Sequence, residues 1–470
     1  AGKYARQRSI RLRSYVERHD NSILDLEVDL LDLGLTGDQG APLPQAGDVI
    51  GILPRNSQAQ SDQLADLLAE DATDQFFLSK RHESDPGRYY TKQEALACLA
   101  LNPLRPATLY RLKEKLIKNK AKPRFGHEPL LAHELTLEAL LQIHEESPED
   151  AAIILGHGHV CDLLLAFPGI LTLSDLCETQ GAIYRRVYTL SGITRDQEGQ
   201  AQAVQFLVAL GVGYQVPPEG FHPGTSYPGV CSSYLRQLLL DKGAAASAEV
   251  FIQPRPFGGP EKNRTLIPGR AWPKPDQEFL TKLAQPTLLV GAGSGISGIR
   301  AILEERQYWQ RLGYQIGSST LIFGLRNQYR DYLYQDEFEA WESEGLIERI
   351  LLAESRPDQG EKTYVQDLLV QNVCRSELQE LAQERRALVV CGDKKMGITL
   401  TDGCLPILLA AEGTDVGDLD REEVYALFLK GQAQVQLLKE QRLIIRSTSG
   451  SRYPKKPISF EEVYEGYFRK

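Results

Sequence analysis

Leu288-Leu-Val-Gly-Ala-Gly-Ser-Gly-Ile-Ser-Gly-Ile-Arg300 joins a short apolar run, a glycine-rich turn and the start of a helical period. An apolar strand feeding such a turn opens a βαβ unit. Its glycines let backbone approach a pyrophosphate, and the helix N-terminus offers N–H donors and a positive dipole end. Gly291, Gly293 and Gly295 are the candidates for that approach. A glycine pattern alone is a weak signal, and three stretches farther along the chain strengthen it. They are Ser355-Arg356, Lys362-Thr-Tyr364 and Val390-Cys-Gly-Asp393. Arg356 and Lys362 with the hydroxyls of Ser355 and Tyr364 are what a phosphate dianion needs. Together these stretches point to a nucleotide with an extra phosphate, bound on a parallel sheet.

Past Pro286 the pattern alternates strand and helix: Thr287–Val290, Ile296–Leu312, Thr320–Phe323 and Glu337–Glu344. That alternation predicts βαβ units. Toward the N-terminus the texture differs. Ile23 to Leu30 alternates apolar and polar residues, as a half-buried antiparallel strand does. Ala46 to Pro54 reads as a turn and a second strand, and strands resume near Val187–Leu190 and Ala203–Tyr214. Between them, from about 57 to 150, helical periods dominate, and Thr91 with Glu94 has capping-box spacing. The helical block is therefore expected to interrupt a β domain. The expected division is 1–56 with 151–285 for that domain, 57–150 for the helical insert, 286–441 for the α/β domain and 442–470 for a C-terminal extension.

A chain of 470 residues is too long for one ordinary core, so two or three domains are expected. The formal net charge of −10 argues against non-specific nucleic-acid binding as the main task. Seven cysteines without paired spacing fit a reducing compartment. No apolar run reaches the length of a membrane span, and the N-terminal stretch lacks a signal-peptide core. A cytoplasmic protein, processed or cut from a longer one because it does not begin with methionine, is the expectation.

Arg186-Val-Tyr-Thr189 falls on an expected strand, which puts Arg186 and Tyr188 on one face: a fixed cation beside a flat ring. Gly229-Val-Cys-Ser-Ser-Tyr-Leu235 enters an expected helix, where Ser232, Ser233 and backbone N–H groups suit a diphosphate. Either motif alone fits an exposed strand face or an ordinary capped helix. In order with the downstream motifs, they resemble the diflavin reductase family, the group of sulfite reductase flavoprotein and cytochrome reductase. Arg186–Thr189 resembles that family's R-x-Y-[ST] flavin motif and Gly229–Leu235 its diphosphate motif. Gly47-Asp48, Gly51 and Pro54-Arg-Asn56 resemble its first barrel segment. Val290–Arg300 resembles its nucleotide loop, Phe323-Gly-Leu-Arg326 with Asp331-Tyr-Leu-Tyr-Gln335 a further signature, and Val390–Asp393 its terminal C-G-D.

The resemblance implies a ferredoxin-NADP reductase-like fold, α/β plus β-barrel. An antiparallel FAD-binding barrel with a helical insert would be followed by a parallel-sheet NADPH domain. It implies that hydride passes from nicotinamide to flavin N5. Arg186, Gly229, Cys231 and Ser232 would hold the FAD diphosphate, with Tyr188 against the isoalloxazine and Thr189 near N5. Gly291, Gly293 and Gly295 would take the NADPH pyrophosphate, and Ser355, Arg356, Lys362 and Tyr364 the 2′-phosphate. Arg326 and Asp393 belong to the same nucleotide set. Thr189, Ser294 and Cys391 would act beside the reacting rings; a small buried apolar residue is the plain alternative for Cys391. The chain departs from the family at Ala292 and Gly298, where proline is usual, and at Ser294, where threonine is usual. No FMN-binding half is expected within it.

The expected activity is an NADPH-dependent FAD reductase passing electrons to a separate FMN, iron–sulfur or haem carrier. The partner would be a flavodoxin-like FMN domain or another acceptor protein, with no nucleic acid and no membrane span. A rival reading is a flavin-binding structural or regulatory subunit with the same fold and little turnover. Past Arg446, Tyr453, Phe460, Tyr464, Tyr467 and Phe468 could cover the flavin ring or pack on their own domain. His157-Gly-His159 with Cys161 would put three metal-capable side chains on one face of a strand, but there is no fourth ligand at a matching spacing, and a turn leading into the next element is the plainer reading. No metal site is expected. The basic run Lys113 to Arg124 and Arg6, Arg8, Arg11 and Arg13 each read as solvated surface or as docking surface for an acidic partner.

Overall fold

A computed structural model describes residues 8–18, 23–29, 44–78, 88–119, 127–197, 199–210, 214–215, 226–227, 229–242, 247–253, 267, 274–371, 373–412, 414–449 and 458–469. They fall into two compact units. One comprises Ala1–Ile50, Tyr188–Ala209 and Phe251–Lys470; the other comprises Gly51–Val187 and Leu210–Val250.

The first unit contains an antiparallel sheet. Strand β1 (Arg8–Arg18) pairs with β2 (Ile23–Asp29), setting Arg18 opposite Ile23. On its other edge β2 pairs with β4 (Ala201–Ala209), which in turn pairs with β3 (Arg186–Arg195). The alternation expected over 23–30 is present: Leu24, Leu26 and Val28 are fully buried and the residues between them are not. In β3 the register against β4 slips between Leu190 and Gly192, leaving Ser191 as an extra residue in a bulge.

The same unit holds five parallel strands: β5 (Thr287–Ala292), β6 (Ser319–Leu325), β7 (Ile347–Glu354), β8 (Ala387–Asp393) and β9 (Ile444–Ser449). Their order is β7-β6-β5-β8-β9. Chain order runs outward in both directions from β5, so the carboxyl end of β5 is a topological switch point, where ligands bind in sheets of this class. Leu288, Leu289, Val290, Leu321, Ile322, Phe323, Leu388, Val389 and Val390 are all buried, as strands covered on both faces require. The stretch after 441, expected as an extension, supplies β9 through its pairing with β8. Phe460 and Val463 then enter the core of this α/β region. Phe460 packs edge-on to Tyr425 and stacks on Tyr464 at 5.5 Å. Of the two roles open to those aromatics, packing on their own domain is the one observed for Phe460; Tyr453 lies outside the described residues.

In the second unit helices run from Gln58–Leu67 to Leu173–Thr179, past the boundary expected at 150. They continue because Leu155, Val160, Leu163, Leu164, Phe167 and Leu176 feed the same core as Leu96, Leu109 and Leu137. Reciprocal capping boxes open three of them, at Ser57/Gln60, Thr91/Glu94 and Thr172/Asp175. At His157–Cys161 the strand face does not form; the chain turns from the end of one helix into the start of the next, the plainer of the two readings. His159 Nδ1 accepts from Cys161 N at 3.2 Å and caps the second helix. Among the described residues no group of His, Cys, Asp and Glu is placed to hold a metal ion, and no helix is long and apolar enough to cross a membrane.

Candidate nucleotide and flavin site

The stretches singled out for a nucleotide lie at the carboxyl ends of four neighbouring parallel strands. After β5 the chain makes a tight turn over Gly293–Gly295 and enters the helix Ile296–Arg311. The three glycines turn out to do different things. A Cβ on Gly291 would sit 2.9 Å from Ile296 Cδ1, so this glycine lets the helix close onto its strand. Gly293 is exposed, has φ 53° and faces open space, the conformation and clearance that a phosphate approach requires. A Cβ on Gly295 would lie 2.5 Å from Gly392 Cα and 2.6 Å from the Cys391 carbonyl oxygen. Gly295 therefore serves contact between the turn and the end of β8. Ser294, between them, is exposed.

The loop after β7 is tied to the loop after β6 through backbone. Ser355 N donates to Leu325 O at 3.0 Å, Arg356 N to Arg326 O at 2.8 Å, and Thr363 N returns to Glu354 O at 2.7 Å. These bonds bring Arg326, Arg356 and Lys362 to one edge of the sheet. Arg326 pairs with Asp331. The Lys362 ammonium stands 4.6 Å above the Tyr364 ring, and Arg356, Lys362 and Tyr364 are exposed. The Ser355 hydroxyl donates to Leu325 O at 3.2 Å. Tyr364 N donates to Asp367 Oδ2 at 2.8 Å at the start of the helix Val365–Val370.

Cys391 lies two residues before the end of β8, opposite Gly291 of β5. Its thiol is buried in a cluster with Ile299, Phe323 and Val389, and burial pushes its pKa up to about 12, so it is a neutral thiol at physiological pH. Asp393 caps the helix Lys394–Ile398, accepting from Lys395 N at 2.8 Å. A groove of about 710 Å³ lined by Lys282, Gln285, Tyr314 and Arg385 lies before the first residues of these strands, away from the motif residues.

The flavin motif falls on both units. In the first, the Tyr188 ring lies 5.9 Å from Phe206, and Thr189 is half-buried. Leu190 N donates to Asp48 O at 3.0 Å, and Gly47 turns the chain there with φ 93°. In the second unit, Cys231 and Ser232 are buried at the start of the helix Val230–Lys242. The Ser232 hydroxyl donates to Gly229 O at 3.1 Å. A Cβ on Gly229 would meet that hydroxyl at 2.9 Å. Asn56 ties its segment to the helical block through Leu96 O and Leu99 O, at 2.7 and 2.9 Å. Arg186 begins β3 and is half-buried.

Sequence reasoning missed Arg300, Glu304 and Tyr334. Arg300 is 8% exposed, which no solvated arginine would be. The available signal was the spacing of Arg300 and Glu304, one turn apart on the helix that leaves the glycine turn.

The oxidoreductase NAD-binding domain family matches residues 289–400. NADPH–cytochrome P450 reductase of Sus scrofa is 24% identical over 396 residues, covering 82% of this chain and 51% of that protein. The Rattus norvegicus protein of the same name is also 24% identical over 396 residues, with the same coverage. Its Drosophila melanogaster counterpart is 27% identical over 225 residues, covering 47% of this chain and 28% of that protein. The chain thus spans about half the length of the mammalian relatives, 51% of each. These likenesses make the chain diflavin reductase-like over most of its length, with an oxidoreductase NAD-binding domain match at residues 289–400.

Proposed function

We propose that the chain is an NADPH-dependent flavin oxidoreductase that delivers electrons through FAD to a separate FMN, iron–sulfur or haem carrier. The observation that carries this reading is the edge on which Arg326, Arg356 and Lys362 gather beside the glycine turn. An exposed glycine with positive φ, a helix N-terminus and these cations fit a nucleotide diphosphate bearing a further phosphate. Gly293, with Gly291 and Gly295 shaping the turn, would hold the pyrophosphate. Arg356, Lys362, Ser355 and Tyr364 would hold the 2′-phosphate, with Arg326 alongside. Arg186, Gly229, Cys231 and Ser232 would hold the FAD diphosphate, and Tyr188 and Thr189 would face its ring. Thr189, Ser294 and Cys391 are assigned to the reacting ends of the two cofactors, with Asp393 next to Cys391. A bound flavin supplies conversion of a two-electron donor into single-electron delivery. The chain's residues bind, orient and keep water from the meeting point.

We read the antiparallel sheet as a closed FAD-binding barrel, a reading supported by the pairing of β2 with both β1 and β4. The domain division is read as a FAD-binding β domain on either side of a helical insert that runs on to Leu173–Thr179, followed by an NADPH domain from 286 that includes β9. The acceptor is a flavodoxin-like FMN domain or another carrier protein. Anaerobic mixing of the FAD-loaded chain with NADPH tests the reading. Bleaching of the flavin absorbance with NADPH, and far more slowly with NADH, is expected; no bleaching with either nucleotide refutes it.

A further inference from the structure

The helix leaving the glycine turn carries charge on the side that meets the antiparallel sheet. Arg300 Nη1 donates to Ser191 O at 2.8 Å and to Gln205 Oε1 at 2.9 Å. Its Nε donates to Glu337 Oε2 at 2.7 Å, and the guanidinium stands 4.8 Å over the Tyr334 ring. Tyr334 holds a left-handed backbone, φ 60°, at the entrance of the helix Gln335–Ser343. One turn beyond Arg300, Glu304 Oε2 accepts from Ile193 N at 2.7 Å. Glu305 lies 3.6 Å from Arg195, whose guanidinium covers the Tyr308 ring at 4.0 Å. Gln205 continues the network into β2 by donating to Glu27 at 3.1 Å.

These contacts converge on the β3 bulge. A bulge leaves backbone groups out of the ladder, and they must find partners elsewhere. Here the Ser191 carbonyl goes to Arg300 and the Ile193 N–H to Glu304. Gly192 between them leaves room for both side chains, since a Cβ there would lie 2.4 Å from Arg300 Nη1 and 2.6 Å from Glu304 Oε2. Tyr188 and Thr189 of the flavin motif immediately precede this held segment on the same strand. The glycine turn of the nucleotide motif opens the helix that carries Arg300, one helical turn before it.

We propose that Arg300, with Glu304, is a positioning clamp that locks the flavin strand to the nucleotide helix. It sets how far the flavin motif stands from the glycine turn, without itself touching either cofactor. The proposal rests on the function given above. Geometry of this kind matters because transfer between two bound groups is steep in their separation, whereas binding of either group alone is not. The clamp should therefore affect the rate of transfer and spare the affinity for the nucleotide.

The test uses the full FAD-loaded chain, wild type against Arg300→Met and Arg300→Lys. Three quantities are measured: the dissociation constant for 2′,5′-ADP, the anaerobic rate of flavin bleaching by NADPH, and amide hydrogen exchange over residues 190–195. The clamp predicts 2′,5′-ADP affinity within about twofold of wild type, bleaching slowed about tenfold or more in Arg300→Met, and faster exchange at 190–195. Arg300→Lys keeps one charge but not the forked geometry, and should recover only part of the rate. Bleaching within twofold of wild type in Arg300→Met overturns the proposal. So does a parallel loss of 2′,5′-ADP binding and bleaching, the mark of general damage. A wild-type chain that binds FAD but is not bleached by NADPH is the failure of the functional reading. Hydrogen exchange then decides the clamp alone, and unchanged exchange at 190–195 in Arg300→Met refutes it.

Discussion

The nucleotide edge and the flavin motif are built in opposite ways. The nucleotide residues come from separate loops, yet each loop leaves the same edge of one parallel sheet and is stitched to its neighbour by backbone bonds such as Arg356 N to Arg326 O at 2.8 Å. The flavin residues are divided between two compact units: Tyr188 and Thr189 in one, Arg186 and Gly229–Ser232 in the other. A parallel sheet converts sequence order into spatial order, because every strand ends at the same edge. An antiparallel domain interrupted by a helical block does not keep that order.

Breaking the nucleotide edge should give the largest effect. In Arg356→Ala/Lys362→Ala, two charge-assisted hydrogen bonds to the 2′-phosphate disappear, about 3–5 kcal/mol in all. The KM for NADPH should rise more than about 100-fold while that for NADH barely moves, since NADH never used those cations. Equal losses for the two cofactors would remove the phosphate role.

The flavin side should be less sensitive to any one change, because its contacts are spread over more elements. Arg186→Ala should weaken FAD binding by about 1.5–3 kcal/mol, read by flavin release on dilution. Unchanged FAD affinity, or purification with FMN alone, would count against the flavin assignment.

Gly295→Ala probes the place where the turn meets β8. The added methyl would press on Gly392 Cα at 2.5 Å and on the Cys391 carbonyl at 2.6 Å, both backbone atoms that cannot swing aside. Overpacking of this kind should cost about 1–3 kcal/mol in denaturant unfolding. A smaller loss of stability than that of Gly293→Ala, which faces open space but has φ 53°, would show that backbone strain outweighs packing there.

The smallest expected effect is a pH dependence at the clamp. Burial pushes the Glu304 carboxyl up to about 7, against the pull of Arg300, the Ile193 N–H and Arg195 and with repulsion from Glu305. A carboxyl raised in the folded state contributes stability that is full below its unfolded pKa and is lost as pH rises through the folded one. The wild type should therefore lose on the order of 1 kcal/mol between about pH 5 and pH 8, discounted for the partial exposure of this side chain. Glu304→Gln should flatten that slope, as read from melts across the range. An identical slope in the variant would move the titration elsewhere.

Much of the architecture was legible because periodicity reports burial directly. The alternation over 23–29, the capping box at Thr91 and the βαβ texture past Pro286 all correspond to elements in the structure. Elsewhere short-range pattern left two solutions. His157 to Cys161 alternates as a strand would and also reads as a turn; its neighbours supply a helical core, and the segment becomes a turn and cap between helices. The chain after 441 looked like an extension because β9 has only two apolar residues before Arg446, and only its pairing with β8 makes it part of the sheet.

What the sequence determined by itself is the chemistry: which residues can turn tightly, carry a fixed charge or cap a helix. These are properties of single side chains and their immediate neighbours. Tertiary structure decided the division of labour among them. It left Gly293 open while committing Gly295 to backbone contact, buried Cys391 as a neutral thiol, and turned Arg300 from a surface cation into the tie between β3 and the nucleotide helix. Those outcomes depend on what packs against each residue from far along the chain, and a charge in a helical pattern carries no record of the strand it will meet.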